Sequence, residues 1–245
     1  MADRRGRIAI VSMALLAISV ISAAETTGPP MAVYTLGLLR RGPAWTPERT
    51  ARTDSLQRGH MANIERMAAE GMLLGAGPFR SGGDLRGVFI FGGDSVAALR
   101  MQAERDPAIQ AGRLHLALYL WSAPAGIGQP YRRMAGEPGF RDSMITLQLA
   151  LLWPGPRSRA RETAATRRLH EAHLAYERDR LASGDYASAG LVDGSGELVG
   201  IVVVRGDSVT ARGIVDRDPM VKAGRLAATV IPWMVAYGVM PGDTL

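Results

Sequence analysis

Apolar residues fall along this chain in short runs separated by polar, glycine-rich stretches. The order of the runs reads strand, helix, strand, strand, helix, strand, and then repeats. Met31–Leu39 is an apolar, β-leaning run. The polar stretch after it ends near Thr53-Asp54, which predicts a helix cap and a helix through about Glu70 with Ile64 and Met67 on its inner face. Gly71 stops that helix. Met72–Ala76 and Gly87–Phe91 are short strands on either side of the turn-rich Ser81-Gly82-Gly83-Asp84. Asp94 or Ser95 begins a second helix that runs through about Glu104, and Leu114–Trp121 closes the unit. The second round comprises Thr146–Trp153, Ala160–Ala182, Tyr186–Leu191, Leu198–Val204, Ser208–Val215 and Leu226–Val235. Residues 122–143, rich in Pro and Gly, join the two as a linker.

A βαββαβ unit is an α+β, ferredoxin-like arrangement, a four-stranded antiparallel sheet with both helices on one face. The other face must also be covered. Alternating positions such as Val33, Thr35 and Gly37, or Leu147, Leu149 and Leu151, are assigned to it. The economical solution is for the two sheets to face each other, stacked or closed as a barrel, which makes a pseudo-dimer within one chain. Residues 32–121 and 145–236 are then expected to superpose about a pseudo-two-fold axis.

Individual residues support a duplication. His60, Gly71 and Gly77 recur as His173, Gly184 and Gly190, each 113 positions on. Gly42-Pro43 recurs as Gly155-Pro156, and Asp94-Ser95 as Asp207-Ser208, at the same offset. After the loss of one residue, Arg105-Asp106-Pro107 and Gly112-Arg113-Leu114 return as Arg217-Asp218-Pro219 and Gly224-Arg225-Leu226. A period this long suits a small domain copied once rather than a solenoid.

The beginning of the chain has a different character. Arg4, Arg5 and Arg7 precede the apolar stretch Ile8–Ile21, and Ser22-Ala23-Ala24 follows, the layout of a cleavable secretory signal over residues 1–24. The apolar stretch is short for a membrane span. Export to the periplasm or beyond by general secretion is expected, with no membrane association after cleavage. Cleavage removes three arginines and one aspartate, lowering the formal net charge from +6 to +4 over 221 residues. A dispersed charge of that size aids solubility and does not imply a nucleic-acid partner. The chain has no cysteine, which excludes disulfides, thiolate metal sites and a cysteine nucleophile.

Each half resembles a YCII-related (YciI-like) domain. In the first, 31–121, the resemblance rests on His60-Met61-Ala62-Asn63-Ile64, Glu70–Pro78, Gly87, Asp94-Ser95 and Asp106–Gly112. In the second, 144–238, it rests on His173-Leu174, Gly184, Ala189-Gly190, Gly200, Asp207-Ser208 and Asp218–Gly224. The family is similar to the dimeric α/β barrels, a ferredoxin-like group with muconolactone isomerases and a ring dehydrochlorinase among its members. The resemblance implies that a helix His and the Asp of the Asp-Pro motif form the catalytic pair, here His60 with Asp106 and His173 with Asp218. The chain departs from the family's pattern after Asp-Pro, where Ala108 and Met220 replace the usual aromatic residue. It departs again at Gly190-Leu191, which stands where the first copy has Gly77-Pro78.

A carboxylate that holds one imidazole nitrogen orients the ring and raises its basicity, so the other nitrogen can remove a proton next to a carbonyl. An Asp before Pro is equally the signature of a helix cap followed by proline at the first helical position. Arg105 and Arg217 fit either of two roles, holding an anionic substrate or pairing with their own aspartate neighbours at the surface. With Gly77 and Gly190 they make up the candidate substrate-binding set, although Gly75–Pro78 also reads as a strand end where backbones approach closely. His170 and His173 are three apart on one helix but have no third ligand, so no metal and no cofactor is expected. His115 reads as a core or interface histidine, and Trp121, Trp153 and Trp233 as packing at strand ends or as the lining of a cleft mouth. Two functions fit these residues: a small-molecule lyase or isomerase working through the His-Asp pair, or a non-catalytic binding or interaction module on the same fold. The pseudo-dimer leaves room for further oligomerisation.

Overall fold

Paired threonines start both long helices. Thr50 and Thr53 exchange side chain and backbone, the Thr50 N–H donating to the Thr53 hydroxyl at 2.8 Å and the Thr53 N–H to the Thr50 hydroxyl at 3.2 Å. Thr163 and Thr166 repeat this capping box at 2.7 and 3.2 Å. The first helix is therefore capped at Thr50, three residues before the Thr53-Asp54 signal. The computed structural model describes residues 29–81, 83–158, 163–193 and 198–243. The expected signal segment, residues 1–24, and the expected start of the other helix at Ala160 lie outside them.

The first half runs β1 (Met31–Arg41), α1 (Ala51–Ala69), β2 (Leu73–Pro78), β3 (Leu85–Gly92), α2 (Val96–Ala103), α3 (Pro107–Gln110) and β4 (Leu114–Pro124). After α4 (Gln129–Ala135) come β5 (Met144–Pro154), α5 (Ala164–Ser183), β6 (Tyr186–Asp193), β7 (Gly200–Val204), α6 (Ser208–Val215), α7 (Pro219–Lys222) and β8 (Leu226–Ala236). Three short helices were not visible as periodicity. Two of them, α3 and α7, follow the Asp-Pro motifs, and α4 lies inside the expected linker. No helix among the described residues is long and apolar enough to cross a membrane.

The strands form one antiparallel sheet in the order β2-β3-β1-β4-β6-β7-β5-β8. In the middle, β4 pairs with β6 through Leu120↔Asp193, Trp121↔Val192 and Ser122↔Leu191. At the outer edges Phe79 bridges Trp233, and the Arg80 N–H donates to the Pro232 carbonyl at 2.9 Å, so the sheet closes on itself. The closed form, rather than two stacked sheets, is the one adopted, because closure leaves no unpaired edge. A glycine sits at each seam. A Cβ on Gly77 would lie 1.7 Å from the Met234 carbonyl oxygen, and one on Gly190 1.8 Å from that of Ser122.

The barrel interior holds Tyr34, Leu36 and Leu38 from β1, Val88 and Ile90 from β3, Leu147, Leu149 and Leu151 from β5, and Ile201 and Val203 from β7, with Trp121 and Trp233 at the seams. The intervening residues face the helices. Leu39, Phe89 and Phe91 pack there with Met67 of α1, while Ala150, Leu152, Val202 and Val204 pack with Ala211 and Ile214 of α6. One expectation is overturned here. Leu147, Leu149 and Leu151 do line the interior, but Thr35 and Gly37 lie on the opposite face of β1 from Leu36 and Leu38. Both faces of β1 are apolar, so alternation alone could not orient it.

Candidate functional site

Each Asp-Pro motif starts a short helix and holds a histidine with the same carboxylate. Asp106 caps α3, its Oδ1 accepting the Ala108 N–H at 2.8 Å, while Oδ2 lies 2.6 Å from His60 Nδ1. Asp218 caps α7, its Oδ1 accepting the Met220 and Val221 N–H groups at 2.8 and 3.3 Å, while Oδ2 lies 2.7 Å from His173 Nδ1. The capping and pairing readings are thus both satisfied, one oxygen for each. All four side chains are buried. An ionised carboxylate can only accept, so in that pairing Nδ1 carries the hydrogen and Nε2 faces away from the aspartate.

The two sites diverge around this shared pair. Beside His60, the Asn63 amide donates to Asp106 Oδ2 at 3.5 Å, and Arg66 donates to the Asn63 oxygen at 2.9 Å. Phe89 stacks on the His60 ring with centroids 6.0 Å apart. His60 forms part of the wall of a cavity of about 390 Å³ that is otherwise largely apolar, with Ile64, Leu73, Leu74, Phe89 and Val239 among its walls. Part of the cover comes from outside the first half. The Gly128 and Tyr131 N–H groups dock α4 onto the Val239 and Gly238 carbonyls at 2.7 and 2.8 Å, and Tyr131 and Arg132 join the cavity wall.

Beside His173 the position of Ile64 is taken by Glu177, whose carboxylate lies 3.7 Å from His173 Nε2. Tyr176 replaces Asn63 and donates to the Ile214 carbonyl at 2.8 Å. Burial opposes the His173 charge, but the hydrogen bond to Asp218 and the charge of Glu177 outweigh it, so the imidazole pKa rises above its ordinary value. Burial pushes the Glu177 carboxyl up, and Asp218 adds to that while His173 resists it. This second cavity is smaller, about 290 Å³, and His170, Glu177, Leu191, Met220 and Arg225 contribute to its wall.

The other sequence candidates separate. Gly77 and Gly190 border the two cavities, but their lack of a side chain is required by the barrel seams. Arg105 and Arg217 are exposed and lie outside both cavity walls, turned to solvent just ahead of the cap. His115 is exposed at the start of β4 rather than in the core, opposite Arg40. Trp121 and Trp233 are fully buried, whereas Trp153 is half-buried and donates to the Thr229 hydroxyl at 3.2 Å. Among the described residues no group of three or more His, Asp or Glu side chains is arranged to hold a metal ion. Sequence reasoning missed Phe89, Asn63 and Glu177. The signal for Glu177 was available, since it stands 113 residues after Ile64, an inner-face position.

No family model matches this sequence, and no curated protein does. Among solved structures the chain is similar to a variant of chlorite dismutase from Candidatus Nitrospira defluvii, with 11% identity over 83% of this chain and 91% of that one and a TM-score of 0.51. It is also similar to a heme-binding protein from Thermus thermophilus, with 17% identity over 85% of this chain and 93% of that one and a TM-score of 0.47. Identities this low bear on the fold alone. The chain has a mixed α+β fold of the dimeric α/β-barrel type, its eight antiparallel strands forming one sheet.

Proposed function

We propose that this chain is an exported protein of two tandem YCII-related repeats, 31–121 and 144–238, acting as its own pseudo-dimer, and that its first site is a small-molecule lyase or isomerase. His60 is the general base and Asp106 the residue that positions it. The observation that carries this reading is a buried imidazole, 2.6 Å from a carboxylate at Nδ1, on the wall of a largely apolar cavity.

In that arrangement His60 Nε2 takes a proton from a carbon next to a carbonyl, and Asp106 stabilises the imidazolium that forms. The electron pair moves into the enolate. Returning the proton to a different carbon completes an isomerisation, whereas expelling a leaving group from the adjacent carbon completes an elimination. Apolar walls keep water from competing for the enolate. The fold neighbours bear on this only through their shared architecture.

The test is C–H exchange in D2O, followed by proton NMR with a panel of small carbonyl compounds. The wild-type chain is expected to exchange or convert at least one of them, and His60→Gln to abolish the reaction with the fold intact. Wild-type and variant proteins that behave alike would leave the pair a structural cap, and the chain a binding module.

A further inference from the structure

Beside the first cavity the barrel carries a group of cations that proton transfer does not use. Strand register pairs Arg40 of β1 with Leu85 of β3, and Arg41 with Leu114 of β4. Arg41, Arg86 and Arg113 therefore emerge at adjacent strand ends. Their guanidinium carbons lie 3.9, 5.6 and 5.7 Å from the centre of one ring, that of Trp45. A tight turn sets the backbone that carries this indole, the Trp45 backbone N–H donating to the Gly42 carbonyl at 3.0 Å. Gly42 sits so close to Gly112 that a Cβ would lie 2.2 Å from the Gly112 oxygen. Arg113 is steadied by donating to the Thr46 hydroxyl at 3.2 Å.

Three cations around one ring repel each other, and the ring face offsets only part of that. Among the described residues, none of the three has a carboxylate within 4 Å. Arg86 belongs both to this cluster and to the wall of the first cavity. The second half has no such cluster, since Ser158, Pro154 and Val199 stand where Trp45, Arg41 and Arg86 would recur.

We infer that the Arg41–Arg86–Arg113 cluster binds an oxyanion of the molecule whose apolar part fills the first cavity, so that the ligand is an amphipathic organic anion bearing a carboxylate or phosphate. The planar guanidinium fork matches either group, and a bound anion relieves the repulsion among the arginines. This deepens the reading of the first cavity as the reaction site and depends on it for the ligand's location, though not for the binding itself.

Titration calorimetry with hexanoate, hexyl phosphate and hexanol tests it, since the three share one apolar body. At least one anion is expected to bind about tenfold or more tighter than hexanol, with the gap closing as salt is added. Arg86→Gln and the double variant Arg41→Gln/Arg113→Gln are expected to remove that preference, and the double variant, at residues outside the cavity wall, to leave hexanol binding unchanged. The better of the two anions identifies the headgroup. His60→Gln is expected to keep the preference, so loss of the base chemistry and loss of anion binding are separate results. Equal affinities for anion and alcohol, no binding of either anion at millimolar concentration, or arginine variants that retain the preference would each overturn the inference.

Discussion

His60 and His173 occupy corresponding places on corresponding helices, and each is held at Nδ1 by an aspartate that also caps a helix. What differs is the neighbour of the free nitrogen. Ile64 and Phe89 line the same cavity as the first imidazole, Phe89 stacking on its ring, whereas Glu177 places a carboxylate 3.7 Å from Nε2 of the second. A base needs its lone pair. An imidazole between two carboxylates is driven toward the protonated form and becomes a donor. One side chain, one helical turn beyond the histidine, therefore separates a proposed base from a proposed ion-paired structural site. A repeated motif is not by itself a repeated activity.

The largest expected effect breaks this comparison directly. His60→Gln is expected to lower the rate of C–H exchange by about a hundredfold or more, within the usual range for a general base, and His173→Gln by far less. Equal losses in parallel rate measurements would mean that both copies work.

The seams should respond alike where the sites do not. Gly77→Ala and Gly190→Ala each force a methyl group into a carbonyl oxygen across the barrel. Each is expected to cost about 3 kcal/mol or more in urea unfolding, as for other severe overpacking. A mild effect at one seam only would show that the barrel is not closed equally on its two sides.

Next in size are the shared caps. Asp106→Ala and Asp218→Ala each remove a cap, worth about 1 kcal/mol, and leave a buried imidazole without its partner, for about 2–3 kcal/mol in all. Asp106→Asn, which keeps the cap geometry, should cost less.

The smallest effect sharpens the electrostatic difference. A raised imidazole pKa contributes stability that is whole below the unfolded value of about 6.5 and is lost as pH rises through the folded value. The raised Glu177 pKa acts in the same direction, because its ionised form is the disfavoured one in the fold. The second half should therefore weaken as pH rises, the carboxyl contributing from above about 4.3 and the imidazole from above about 6.5. Glu177→Ile, which copies the first site, is expected to flatten that slope, lower the His173 titration midpoint seen by NMR, and stabilise the fold by about 1 kcal/mol at the alkaline end.

Much of this was legible in the amino-acid sequence, for reasons tied to particular residues. The recurrence of His, Asp-Pro and glycine positions is a property of the chain alone, and so is the strand and helix order that hydrophobic spacing dictates. The Asp-Pro dipeptide announced a cap because proline supplies the first helical φ and aspartate the acceptor. What the sequence left open were choices between surfaces of equal polarity. Both faces of β1 are apolar, so only packing against the partner strands showed that Leu36 and Leu38 point inward. Gly77 fitted both a ligand-binding and a close-backbone reading, and only the opposing carbonyl of Met234, with that of Ser122 at Gly190, decided between them. Arg105 stands next to the site aspartate in the chain yet turns to solvent, whereas Arg86, on β3 and unremarked by any motif, reaches the cavity wall. Local pattern sets the elements because it acts over one or two turns of backbone. Which side chains meet across the barrel depends on register and closure, and those exist only once the strands have paired.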